Sequence, residues 1–432
     1  MHERTLDPRR GTWADRIDLA ICPLLAAVAA GLFFMAIGRN DFNDLSNHVA
    51  IAMRPTFGDA FALGYPLFHA LVRALVALTG AEPMLAGAIV SVVAKVALVL
   101  SLYAILRRPR DALIPPSRAM AAAVAVLLSL IGPFGLLTLP NAYLGYIAFN
   151  LVHNPTILVL MPVALWEVIV LVGLVADPTP PRRRVALAAV LMVLSSLAKP
   201  SFNIAVAPAF GIALLAQVLA RRRTTANAIR VAAAPLAALL VVSGVQAHLL
   251  FLGATAAHTG RVSFSPFEVM RIFSDGSIAL ALLKIALSVL VPLAGLRVLP
   301  SASEAPKARA WVMLAWLTLG VALVEAALFA ESGGGRSVSH GNFFWGAYAA
   351  NLVLHVATIA GCGIITVRPA AWWRARDGAY RPMIVALGLS LLGGLMIIQP
   401  LHGPAQPLPM RKPDAMRKLE SRAIRAPRLA LP

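Results

Sequence analysis

Long apolar runs alternate with short polar connectors along most of the chain. A helix needs about 17–25 predominantly apolar residues to cross a hydrocarbon core. Runs near that length fall at 19–37, 83–106, 119–137, 156–176, 185–198, 203–220, 231–252, 277–296, 311–330, 344–367 and 383–400, with 185–198 the shortest. The segment 62–79 is apolar too, but Pro66, His69 and Arg73 interrupt it. That pattern predicts a helix lying at an interface rather than a span. The chain therefore reads as all-α: a polytopic membrane protein with about eleven transmembrane helices over residues 1–400. Residues 38–82 form a first outer loop with interfacial helices. Residues 401–432 form a basic, Pro-rich tail whose composition predicts poor order.

Composition narrows the class further. Of 432 residues, 59% are hydrophobic and 13% are charged, more apolar surface than a soluble fold of this length hides. Cys22 and Cys362 both lie in apolar runs and read as small core residues. Arg4, Arg9, Arg10 and Arg16 precede the first apolar run, and no small-residue cleavage site follows it, which predicts a retained first span.

The net charge of +19 would suggest a nucleic-acid partner in a soluble protein. Here its location matters more. With the N-terminus in the cytoplasm and 62–79 on the outer surface, the inner segments 1–18, 107–118, 177–184, 221–230, 297–310 and 368–382 hold 22 Lys and Arg residues. The outer segments 38–82, 138–155, 199–202, 253–276 and 331–343 hold 7. Such asymmetry is what cytoplasmic loops carry, so no nucleic acid is needed. If 62–79 spanned, the asymmetry would reverse. The basic tail, which ends outside, is the exception.

In that orientation the polar motifs gather on the outer side. Asp41, Asp44 and His48 lie at i, i+3 and i+7 in the first outer loop, on one helical face. His153 and Asn154 precede Pro155 at a membrane boundary. Lys199 opens Lys-Pro-Ser-Phe between two apolar runs, and His340 and Asn342 follow a Gly-rich stretch. Each has a plain reading as cap, turn or snorkelling side chain. Their convergence on one face points instead to a water-facing cavity. Within the spans, Lys95 and Lys284 have stems long enough to snorkel, and Glu167 and Glu325 are expected to pair with basic neighbours.

No phosphate-binding Gly-rich loop followed by Lys occurs, no dinucleotide fingerprint, and no Cys/His spacing that suggests zinc. No inner loop is long enough for a nucleotide-binding domain. These absences count against an ATP-driven pump and a cytoplasmic nucleotide-sugar enzyme.

The order of features resembles the GT-C superfamily of integral-membrane glycosyltransferases, in particular the protein mannosyltransferases and the lipid A aminoarabinose transferase. The resemblance covers about the first 110 residues. It rests on Asp44-Leu45-Ser46-Asn47-His48 as the acidic motif of the first outer loop. Tyr65-Pro66-Leu67-Phe68-His69 begins a second interfacial helix, and Arg107-Arg108 ends the next span. The usual acidic pair is Asp-Glu, whereas Asp44 is followed by Leu45, so the family role falls to Asp44 or Asp41. The resemblance implies transfer of a sugar from a polyprenyl-phosphate-type carrier to a lipid, glycan or protein acceptor on the outer face. It implies a loop aspartate as general base. It also implies a fixed cation for the phosphate leaving group. Lys199 is the main candidate for that cation, ahead of Arg54, Arg73 and Arg261. His48, His69, His153, Asn154, His340 and Asn342 are candidates for binding phosphate or sugar. No cofactor is required; a divalent cation is compatible, as some relatives use one. Two other readings stay open: a multi-span transporter or lipid flippase, and a polysaccharide polymerase or ligase.

Overall fold

The computed structural model describes residues 20–33, 44–54, 64–107, 117–132, 146–147, 154–249, 261–299, 305–332, 342–362 and 380–398. The described chain is mostly helical. In order it contains α1 (Ala20–Phe33), α2 (Leu45–Ala52), α3 (Leu67–Thr79), α4 (Pro83–Leu106), α5 (Arg118–Leu130), α6 (Pro155–Ala176), α7 (Arg182–Ala198), α8 (Pro200–Leu219) and α9 (Thr225–Ala247). There follow β1 (Arg261–Phe264), α10 (Glu268–Ile272), α11 (Ile278–Ser288), α12 (Leu290–Gly295), α13 (Pro306–Leu328), β2 (Phe329–Ser332), α14 (Asn342–Gly361) and α15 (Arg381–Ile398).

Among the described residues, six helices (α4, α6, α8, α9, α13 and α14) are long and apolar enough to cross a membrane. The protein is therefore a multi-pass membrane protein. Each of the eleven apolar runs contains helix, with one internal difference. The run 277–296, expected as one span, is two helices, because Val289 leaves the helical region at φ −115°, ψ 18°.

Local chemistry explains the helix starts. Glu82 caps α4 by accepting from Leu85 N, with Pro83 in the first turn. Ser117, Thr224 and Ser277 do the same for α5, α9 and α11. A side-chain oxygen at this position satisfies an amide that the helix itself leaves bare. The α7–α8 break has a different cause. Pro200 disfavours the helical region for the residue before it, and Lys199 is extended at φ −165°, ψ 106°.

Helices α6 and α14 form the centre, and α14 is 83% buried over its apolar window. Helix α9, at 17%, lies on the edge. Helix α13 packs along α14, α8 and α6, while α7 packs on α6, α8 and α9. The short amphipathic helices α2 and α3 pack on each other and on α4. A close approach makes that docking possible: a Cβ on Gly87 would run into the side chains of Val49 and Leu45. Strands β1 and β2 pair antiparallel, with Arg261 opposite Ser332 and Phe264 opposite Phe329.

The polar residues within spans behave differently from expectation. Lys95 and Lys284 do not reach a water boundary. Lys95 is buried with Nζ 4.4 Å from the Phe33 ring centroid. Lys284 is buried and donates to the Phe273 carbonyl at 2.8 Å. Glu167 accepts from the Ser195 hydroxyl rather than from a basic residue. Glu325 Oε2 has no hydrogen-bond partner among the described residues. Short hydroxyls and backbone carbonyls on the next helix are closer to hand than long basic side chains. Of the small residues inside spans, a Cβ on Gly295 would meet Thr358 and Cys362, whereas Gly211 and Gly244 face open space.

Candidate functional site

Three stretches far apart in sequence meet around Lys199. Because Lys199 stands between two helices, its side chain leaves the bundle's helical periodicity. It is only 3% exposed. Its Nζ lies 4.1 Å from the Tyr65 ring centroid and 5.5 Å from that of Trp345. It also donates to Asn342 Oδ1 at a long 3.5 Å. Aromatic faces attract an ammonium through their quadrupole and exclude water from it. Another close approach sets this geometry: a Cβ on Gly346 would lie 2.5 Å from the Ser201 carbonyl oxygen. Glycine there lets the start of α14, with Asn342 and Trp345, come up against the Lys199–Ser201 turn.

The interfacial helices supply the other wall. His48 Nδ1 and His69 Nε2 are 3.0 Å apart. Tyr65 packs beside both imidazoles, with centroids 6.2 Å from each. Both rings are held neutral. Burial, with help from His69 and the Lys199 charge, lowers His48 to about 3. Burial lowers His69 to about 4; a hydrogen bond to the Tyr65 backbone pulls the other way and the Lys199 charge adds to the lowering. Two neutral imidazoles share one N–H between them, and His48 keeps its Nε2 as a donor or an acceptor for another partner. Asp44 is half-buried at the N-cap of α2, one turn before His48, and its carbonyl accepts from His48 N at 3.0 Å. Its side chain makes no capping bond to α2.

Of the residues singled out from sequence, His48, His69, Lys199 and Asn342 come together, and Asp44 lies on the same short helix as His48. Asn154 has a different task. Its Oδ1 accepts from Thr156 N, Ile157 N and Thr156 Oγ1 at 3.1, 3.3 and 2.7 Å, capping α6. Arg73 donates to the Arg54 carbonyl at 2.9 Å, tying α3 to the end of α2. Asp41, His153 and His340 lie outside the described residues.

Sequence reasoning missed three participants. Tyr65 opens the motif of the second interfacial helix and Trp345 follows Asn342 by three residues, but nothing in one dimension marks them as the walls around Lys199. Gln246 lay hidden in an apolar run. Its Nε2 donates to Gly64 O at 2.6 Å and Ser196 O at 2.9 Å, joining the segment before Tyr65 to the turn before Lys199. A buried lattice continues behind it: Asn203 Nδ2 lies 2.7 Å from Ser195 Oγ, Ser196 Oγ and Met192 O.

Chemically, this is one buried cation in an aromatic and imidazole enclosure. Such an enclosure suits an anion, because the ammonium is desolvated and its field is little screened. No three His, Cys, Asp or Glu residues cluster as a metal site among the described residues. No protein-family model matches the chain, and no curated protein matches it.

Proposed function

We propose that the protein is a membrane glycosyltransferase. It moves a sugar from a polyprenyl-phosphate-type carrier to a lipid, glycan or protein acceptor on the periplasmic side of a bacterial inner membrane. The observation that carries this reading is the meeting of Lys199, His48, His69 and Asn342, four residues drawn from three separate stretches assigned to the outer side. In this reading about eleven helices span the bilayer while α2 and α3 lie on its outer surface. Asp44 is the general base on the acceptor. Lys199 offsets the charge that grows on the leaving phosphate. The neutral imidazoles and Asn342 hydrogen-bond phosphate or sugar.

The grouping of segments at two opposite ends has support of its own: the inner-assigned segments 177–184 and 221–230 meet, as outer-assigned ones do. Arg223 donates to the carbonyls of Leu174, Val175 and Asp177, and Arg184 pairs with Asp177 at 2.9 Å. The test is sugar transfer from a polyprenyl-phosphate donor by purified protein in liposomes. Asp44→Asn and Asp44→Ala should each lose transfer by about 10²-fold or more while remaining folded and inserted. Normal rates in both would remove Asp44 from its role.

A further inference from the structure

An apolar feature lies on the exposed face of α13. A groove of about 580 Å³ runs along this helix, walled on the other side by Leu296 and Leu299 just after α12. Arg309, Met313, Trp316, Gly320 and Val324 line it from α13. These positions recur every three or four residues, so they form one helical face. Its floor is open at Gly320, where a Cβ would meet no atom within 4 Å. Met313 and Val324 are each 55% exposed and Leu296 is 48% exposed. On a helix long and apolar enough to cross a membrane, that exposure faces lipid.

We infer that this groove binds the acyl chain of an anionic phospholipid, with Arg309 holding the lipid phosphate. Length fits first. From Arg309 to Val324 the face runs about 22 Å at 1.5 Å per residue. Half of a hydrocarbon core of about 30 Å is shorter than that, so a chain from one leaflet lies along the groove. Charge selects the headgroup. Arg309 is the only charged residue lining the groove among the described residues. It lies in the first turns of α13, with Lys307 two residues before it, and Arg297 follows the groove residue Leu296 in the chain. A guanidinium takes a phosphate through two parallel hydrogen bonds. A zwitterionic headgroup would bring its own ammonium towards Arg309, and an anionic one does not. The site is also separate from Lys199. Helix α13 ends in β2, on the side of Asn342, while Arg309 is at the other end, about 30 Å away along the helix.

Native mass spectrometry of the purified full chain tests this, with phosphatidylglycerol and phosphatidylcholine as the two probes. Wild type should retain one phosphatidylglycerol under activation that strips phosphatidylcholine. Gly320→Trp fills the groove and should lower that retention about tenfold. Gly244→Trp, at an equally open glycine on α9, should leave it unchanged. Arg309→Gln, at an exposed position, should still bind a chain but lose the preference for phosphatidylglycerol. Equal retention by wild type and Gly320→Trp overturns the groove. Equal loss in Gly244→Trp means a general lipid shell and overturns it too. An unchanged preference in Arg309→Gln overturns the headgroup assignment.

Discussion

Two buried polar regions of this protein each centre on a lysine, and they are built in opposite ways. Around Lys284, side chains satisfy backbone. Lys284 donates to the Phe273 carbonyl, Asn351 donates to the carbonyls of Ile147 and Ser288 at 2.7 and 3.2 Å, and Ile147 N donates to Ser288 Oγ at 3.0 Å. These bonds stitch a non-helical segment and a broken helix into the bundle. Around Lys199, side chains face other side chains: imidazole to imidazole, ammonium to amide and to two aromatic rings. Backbone at membrane depth must be satisfied internally, so the first kind of polar residue is explained by the fold. The second kind is joined mainly through side chains, with backbone bonds at its margin from His69 and Gln246, and the fold alone does not call for an ammonium to meet two imidazoles. That contrast is the reason to look for function at Lys199.

The contrast can be broken most directly by substitution. Lys199→Met should lower sugar transfer by about 10²–10³-fold, the loss typical of removing one preorganised charge-stabilising group. The thermal unfolding midpoint in detergent should move little. A large fall in the midpoint with transfer per folded molecule preserved would make Lys199 a structural residue like Lys284. Gly346→Val comes next. It forces α14 away from the Ser201 carbonyl, at a cost of about 1–3 kcal/mol from overpacking, and should lower both transfer and stability. Transfer at the wild-type rate would mean that the approach of Trp345 and Asn342 to Lys199 is incidental.

Asn351→Ala should show the reverse pattern. It leaves two buried carbonyls unpaired, so stability should fall by about 1–3 kcal/mol, while transfer per folded molecule stays within about twofold. A selective loss of transfer would give the Lys284 region a catalytic part. The smallest expected effect is in pH. His48 and His69 resist protonation when folded, at about 3 and about 4, but take protons near 6.5 in an unfolded chain. The unfolded state therefore binds more protons below about 6.5, and stability should fall as pH drops from there towards about 4. His48→Gln should flatten this part of the midpoint–pH curve. An unchanged curve would mean that His48 is not the buried neutral ring described.

Much of this was legible one residue at a time. Helices occur at all the apolar runs because membrane-scale apolar length is a local property, and their starts follow local caps such as Glu82 and Ser117. Lys199 was conspicuous because Lys-Pro between two apolar runs leaves almost no loop. The ring partners of Lys199 were not legible, since Tyr65 and Trp345 join it only through packing of α3 and α14 against the α7–α8 turn. Asn154 shows the converse: beside His153 it resembled a binding residue, yet its oxygen is taken up by helix capping. The break at Val289 was equally hidden, because an apolar run reads the same whether or not one residue leaves the helical region.

The sequence by itself determined that this chain is a helical, multi-pass membrane protein, where its helices begin, and which polar residues are out of place in an apolar bundle. Hydropathy, capping and the effect of proline on its predecessor act over a few residues, so they are written locally. Tertiary structure alone decided which of those polar residues meet. Gly87 admits α2 onto α4 and Gly346 admits α14 onto the Lys199 turn. Such approaches depend on two distant surfaces fitting at once, and no periodicity along one chain records that.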